Sequence, residues 1–595
     1  MNTSSKSLFD GSGKSSGKAH TSNDQSDRQT AAETLIGLAE GVELFHTATE
    51  VPYAVIMVNG HREVWSLRST TFRTWLVGQY FALTSRGVPS EALKTALGTL
   101  EAKARFDGQK REVHTRVTTH EGRVYLDLGD EAWRAVEIDA SAWRIVDNPP
   151  VYFRRAPGML SLPEPVRGGS INTLRPYLNL RSEDDFVLIV CWLLACLRGG
   201  APFPLLILLG EQGSSKSTLA KILRRLIDPN DAPLRALPKQ ERDLFISANN
   251  AYLLAYDNLS GLQAGMSDLL CTLSTGGGFS TRQLYSDEAE AIFKAARPLL
   301  LNGIDDVVRR PDLADRSIFI NLEPIPEERR RTEKELWADF DRLAPRVLGA
   351  LLDGVVTGLR RQAEIRLPRL PRMADFAIWS TAVETAYWLS GTFWAAYEAN
   401  RTRAIEEVVE GDLVAATVVK LLARRPAWTG TASELQRELQ RVDSAATGSK
   451  EWPKDARSLS AELRRAATFL RKLGIEYRVD RQGHHRKRVI SLHKADASGA
   501  SPEREEFASA PSAVSAEVEN SCWNKGVTDP KLRTHPTPAD ASTDELQVAV
   551  AESVRTNPLN YKAADDADDA DDADAKFEGF SEADEDTEVE WSAEI

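Results

Sequence analysis

The apolar positions of this chain change period along its length. Residues 1–32 carry few of them and are expected to be disordered. Residues 33–175 read as a mixed α+β domain. Within it, 51–66 alternates around Asn59-Gly60 as a hairpin does, and 72–83 and 91–106 have helical spacing. Short strands follow at 112–117, 124–128, 135–138 and 143–146. Asp127 and Asp130 lie among them; their spacing predicts turn residues rather than paired metal ligands. From 176 to 325 apolar runs alternate with helical stretches, the signature of a parallel sheet with crossovers. Residues 326–410 read as a helical lid, beginning with a long helix over 336–359. Residues 411–495 give helix, short strand, helix, helix and a strand pair. Residues 496–595 include a repeating Asp-Asp-Ala tract at 565–574 and are expected to be disordered.

The 595 residues exceed one core, so two or three domains plus tails are expected. The longest apolar run, 186–197, is too short to span a bilayer and predicts a buried helix. The polar N-terminus does not read as a secretory signal. Cys191, Cys196, Cys271 and Cys522 form no metal knuckle or redox pair. Together these point to a cytoplasmic protein without a membrane partner. The formal charge of −13 is uneven: 26 acidic and 7 basic residues from Asp496 onward give −19, leaving +6 on the first 495. That asymmetry points toward nucleic acid, with an acidic tail that competes with DNA, recruits a protein or simply solubilises.

The chemistry concentrates in 205–218. An apolar run feeds Gly210-Glu211-Gln212-Gly213-Ser214-Ser215-Lys216-Ser217-Thr218, and a helix follows over 219–227, ended by Asp228-Pro229. Strand, glycine-rich loop and helix form a phosphate cradle, with N–H groups at a helix N-terminus, Lys216 on the phosphates and Ser217 on Mg²⁺. Ser215 stands where glycine usually precedes the lysine, and its Cβ restricts φ. A magnesium-side carboxylate is expected on a neighbouring strand. The 251–256 run ends in Asp257-Asn258, which nominates Asp257; Asn258 takes the place of a second acid, and as an amide it cannot accept a proton. A hairpin with strands 280–285 and 291–295 leads to the strand 297–303, whose Asn302 would sit between the two motifs and sense the γ-phosphate. Arg316, with Arg310 second, could reach a neighbouring subunit's nucleotide; each could equally be a salt-bridge partner. Arg372 is a further candidate for a lid arginine.

This ordered set resembles the superfamily-three and poxvirus-type primase-helicase branch of the AAA+ P-loop ATPases, as in phage and mobile-element ATP-binding proteins. The resemblance implies an AAA+ core that binds ATP and Mg²⁺ between subunits of a ring, usually a hexamer. It also implies that the hairpin grips DNA in the channel, which nominates Arg282 and Lys294. The order of elements over 411–495 is that of a winged helix. Arg464, Arg465, Arg471 and Lys472 are the expected exposed positions of its third helix, and Arg486 and Lys487 belong to a basic wing loop; Arg464, Arg465, Arg486 and Lys487 are nominated for DNA. The sequence thus predicts a DNA-stimulated ATPase, a replicative or mobile-element helicase on single-stranded or forked DNA. The alternative is a DNA-binding ATP switch with little hydrolysis, motivated by Asn258. A primase-helicase fusion is a third reading, which needs a polymerising centre in 33–175 that the residues do not supply.

Overall fold

The computed structural model describes residues 30–282, 290–294, 296–303, 311–482 and 487–494. Two four-stranded sheets precede the central one, together with a two-stranded parallel pair, Val113–His114 and Tyr152–Phe153. In the first, the strands Glu43–His46, Pro52–Val58 and His61–Ser66 form an antiparallel meander, and Gln109–Lys110 joins it in parallel. Asn59 and Gly60 both take positive φ, 48° and 88°, as a two-residue hairpin turn requires. The helices Ala31–Leu38, Thr70–Thr84 and Ser90–Phe106 bury their apolar sides in this domain's own cluster. The second sheet runs Val117–His120, Arg123–Asp127, Ala135–Ile138 and Trp143–Val146, each strand antiparallel to the next. Asp127 closes a turn on the Gly129 N–H at 2.9 Å and pairs with Arg155 at 2.8 Å, while Asp130 holds Arg134. These carboxylates are thus spent on structure.

The central sheet is parallel, in the order Leu254–Leu259, Leu299–Gly303, Leu205–Gly210, Ser317–Leu322. Its strands are apolar at nearly every position because both faces are covered. Leu206, Leu208, Leu300, Ile318 and Ile320 pack on one side, with the helices Lys216–Ile227, Glu183–Cys196 and Glu333–Arg361. Leu205, Ile207, Leu299, Leu301 and Phe319 pack on the other, with Glu241–Asn250 and Ala264–Thr275. The first of these clusters also takes in Val124, Leu126, Val136 and Trp143, so the second small sheet shares its core with the central one. The outer strand Ser317–Leu322 is covered by Asn400, whose side chain exchanges two hydrogen bonds with the Phe319 backbone, at 3.1 and 2.6 Å. That blunts an edge otherwise open to strand pairing.

The run expected to form a buried helix is the helix Glu183–Cys196, buried from Asp185 onward. Among the described residues no helix is long and apolar enough to cross a membrane. Beyond the helix Thr392–Gly411 come Leu413–Arg424, the strand Ala427–Gly430, and the helices Ala432–Val442, Ser444–Thr447 and Ala456–Lys472. The strands Ile475–Gln482 and Lys487–Lys494 follow, and Lys487–Lys494 lies in the middle of a three-stranded antiparallel sheet with Ala427–Gly430. Of the segments expected to be disordered, 496–595 and residues 1–29 of 1–32 lie outside the described residues, whereas Thr30 caps and Ala31 opens the helix Ala31–Leu38.

Candidate functional site

The glycine-rich loop leaves the C-terminal end of its strand at Gly210, φ 150°, where a Cβ would collide with the Leu322 carbonyl. Gly213 is left-handed at φ 80°. Ser215 is left-handed too, at φ 65° and ψ 26°. A serine in that conformation costs about 1–2 kcal/mol that a glycine would not. The helix opens at Lys216, three residues before the expected start, and its first backbone acceptor, Ser215 O, takes Leu219 N at 2.9 Å. The N–H groups of Lys216, Ser217 and Thr218 therefore have no acceptor within the helix and carry its positive dipole end. The Lys216 ammonium is 2.7 Å from the carbonyls of both Gly210 and Glu211, folded back over the loop. Ser214 is buried and closes the loop by donating to the Glu211 carbonyl at 2.8 Å.

The helix after the loop and two strands of the central sheet deliver their side chains to one point. Ser217 Oγ lies 3.3 Å from Asp257 Oδ1, and the Asn302 amide donates to the same Oγ at 3.4 Å. The strand bearing Asn302 sits between those bearing the loop and Asp257, as the sequence placed it. Asn302 is buried, and its Oδ1 accepts the Asn258 N–H at 2.9 Å. Two details differ from expectation. The strand carrying Asp257 begins at Leu254 and continues through Leu259, with an irregular register between Tyr256 and Leu259, so Asp257 is interior to it. Asn258 sits in that irregularity at φ 57°, a conformation asparagine tolerates better than most residues. Its visible contribution here is its backbone N–H rather than its amide.

The arginines gather elsewhere. Arg316 pairs with Asp312, and Arg372 reaches the same Asp312 carboxylate at 2.8 Å. Burial raises the Asp312 carboxyl, but the hydrogen bond and charge of Arg316, with the charge of Arg372, outweigh it and hold the group below its ordinary value. Cys271 lies against this pair, its thiol pushed up to about 11 by burial. Arg372, a candidate lid arginine, is thus held by the carboxylate that also holds Arg316. Arg310 lies outside the described residues. The hairpin strands Gly278–Arg282 and Glu290–Lys294 pair in the register Arg282↔Glu290, Gly278↔Lys294; the side chains of Arg282 and Lys294 lie outside the description.

The helix Ala456–Lys472 buries Leu459, Leu463, Ala466, Phe469 and Leu470. Arg464, Arg465, Arg471 and Lys472 are exposed, as expected. Two of them are occupied: Arg465 pairs with Glu462, and Lys472 with Asp315, one residue from Arg316. Arg457 is exposed as well and was not nominated. It stands seven residues before Arg464, which stands seven before Arg471, so the three share one helix face. That spacing was legible in the sequence. Arg486 lies outside the described residues, and of Lys487 only the backbone is described.

A second residue was missed and left no local signal. Asn179, 35 positions from Ser214, donates its side-chain amide to the Ser214 carbonyl at 3.2 Å. The same nitrogen lies 2.6 Å from the Glu323 carbonyl. The loop is tied once more where Ile325 N–H meets the Gly213 carbonyl at 3.1 Å.

Residues 171–404 match the family model of actinomycete integrative conjugative element replication proteins. That replication-protein match contains the glycine-rich loop, Asp257, Asn302, Arg316, Arg372 and Asn179. Residues 414–510 match the model of the RepA C-terminal domain from the same elements, which contains the arginine-bearing helix. No curated protein matches the chain. Among solved structures, the NrS-1 C-terminal region is similar at 12% identity and a TM-score of 0.36, over 79% of this chain and 100% of that one. The JCV helicase is similar at 13% identity and a TM-score of 0.21, over 39% of this chain and 64% of that one.

Proposed function

We propose that the chain binds and hydrolyses ATP with Mg²⁺ while acting on DNA, as a ring-forming replicative helicase of a mobile element. The observation that carries this reading is the meeting of Ser217, in the first turn of the helix after the loop, with Asp257 and Asn302 from the two parallel strands next to the loop's own, toward their C-terminal ends. Ligands of open parallel sheets bind at that end. A hydroxyl and a carboxylate 3.3 Å apart form an all-oxygen set suited to Mg²⁺. Bound there, the ion would neutralise charge on the phosphates. The loop N–H groups would hold the phosphates. Lys216 would leave its carbonyl partners for them, and Asn302 would orient a γ-phosphate oxygen or the attacking water. Arg316 would act on a neighbouring subunit's nucleotide after exchanging Asp312 for phosphate. In this reading residues 411–495 are a winged helix that binds DNA through the face of Arg457, Arg464 and Arg471, with Arg486 and Lys487 on its wing. The match to replication proteins supports the mobile-element setting.

The test is ATP turnover with and without single-stranded DNA. Turnover is expected to rise with DNA and to fall at least a hundredfold in Lys216→Ala; unchanged turnover in that variant rejects the site. The position of Asn258 keeps a second reading alive, a DNA-bound switch that binds ATP and hydrolyses it slowly. ATP-dependent strand displacement favours the motor, and nucleotide binding without displacement favours the switch.

A further inference from the structure

We propose that Asn179 is a positioning residue of the nucleotide site, holding the glycine-rich loop with its N–H groups turned toward the phosphates. The proposal deepens the ATP reading above and rests on it. The loop has an unusual need for support. Gly213 and Ser215, on either side of Ser214, are both left-handed, and Ser215 lacks the freedom of glycine. Strained backbone of this kind persists only where its surroundings over-determine it.

Two contacts do so. The Gly213 carbonyl accepts from Ile325 N–H at 3.1 Å, and the Ser214 carbonyl accepts from the Asn179 amide at 3.2 Å. In a trans peptide the N–H points away from the C=O of the same plane. Holding the carbonyls of Gly213 and Ser214 from outside therefore aims the N–H groups of Ser214 and Ser215 the opposite way. Successive N–H groups presented together by a loop are what an anion requires.

Asn179 is also suited to the task by where it stands. It follows the short helix Ile171–Tyr177 and precedes Glu183–Cys196, so it enters the site from outside the central sheet. Its amide nitrogen bridges the loop to the Glu323 carbonyl, just past the end of Ser317–Leu322, at 2.6 Å. Arg181 adds an ion pair to Glu323 at 3.2 Å, closing the same collar. A single side chain thereby joins three separate stretches of chain around the loop. Both bonds use the donor nitrogen, so aspartate, of the same shape but with acceptors only, abolishes them while keeping the packing.

The experiment uses the full chain with a fluorescent ATP analogue and Mg²⁺. Asn179→Asp and Asn179→Ala are each expected to weaken analogue binding about tenfold, the equivalent of one to two ordinary hydrogen bonds. The KM for ATP should rise by a similar factor while kcat stays within about twofold and the melting temperature is preserved. A purely structural role would instead lower the melting temperature and kcat together. Wild-type affinity in Asn179→Asp overturns the proposal and leaves the ATP reading intact. Failure of the unaltered chain to bind the analogue removes both.

Discussion

At the scale of single residues, the two departures from the expected ATPase pattern share one physical feature. Ser215 and Asn258 are both left-handed, at φ 65° and 57°. For Ser215 this means the serine was accommodated without moving the loop to another conformation. Ser215→Gly should relieve the strain of about 1–2 kcal/mol but lose about 0.5–1 kcal/mol to the greater freedom of the unfolded chain. The net gain of up to about 1.5 kcal/mol is measurable by urea denaturation; a drop in stability would show that the serine makes a compensating contact. Asn302 sits deeper in the chemistry. Asn302→Ala removes the donor to Ser217 and the acceptor of the Asn258 N–H. Stability should drop about 1–3 kcal/mol, and ATP turnover about a hundredfold. A variant that loses stability yet turns over ATP normally would reduce Asn302 to a structural amide. The sequence disclosed the identity and order of these residues. It was silent on Asn179, because nothing within a few positions of that residue marks it as a partner of the loop.

At the scale of elements, the junction between the helix Lys216–Ile227 and the strand Leu254–Leu259 depends on a buried acid. Asp228 reads in the sequence as a helix terminator. In the fold it accepts from Arg116 at 2.9 Å and from the N–H groups of Tyr252 and Leu253 at 3.0 and 3.1 Å. Arg116 stands in the bend immediately before the second small sheet and is fully buried. Arg224 donates to the Asp228 carbonyl at 3.1 Å, and burial pulls its guanidinium down to about 10. One carboxylate thus ties the second small sheet to both elements that bear the candidate Mg²⁺ ligands. Asp228→Ala leaves buried arginines without their counter-charge and should cost about 3–5 kcal/mol, read as a lowered urea midpoint. A cost under about 1 kcal/mol would mean that water takes over the pairing. The elements were well marked by apolar runs and turn residues: 135–138 and 143–146 appear at the expected bounds. The strands Glu43–His46 and Tyr152–Phe153 were not foreseen, and the expected strand 112–117 is interrupted at Thr115-Arg116, its part Val113–His114 pairing in parallel with Tyr152–Phe153. Such short strands carry too few residues to display a period.

At the scale of the whole molecule, the proposed function depends on assembly and on charge. The face carrying Arg457, Arg464 and Arg471 repeats about every 10.5 Å along its helix. Replacing all three by alanine should lower the slope of log affinity against log salt by about 2.7 for duplex DNA, at about 0.9 for each phosphate no longer neutralised. Fluorescence anisotropy over a salt series measures it, and an unchanged slope assigns DNA to another surface. Light scattering with a non-hydrolysable ATP analogue should report a mass of several chains. A strict monomer would take away the trans role of Arg316 and leave it as the partner of Asp312.

The loop with its lysine and hydroxyl, the alternation of strand and helix around it, the hairpin turn at Asn59-Gly60 and the amphipathic arginine helix were all legible along the chain. Each is written within a few consecutive residues, where period, turn chemistry and glycine placement act. Which side chains meet emerged in three dimensions. Ser217 reaches Asp257 across 40 positions, Asn179 reaches Ser214 across 35, and Arg116 reaches Asp228 across 112. Those meetings depend on strand order and on the path of the crossovers, and hydrophobic periodicity encodes which face of an element is buried without encoding its neighbour.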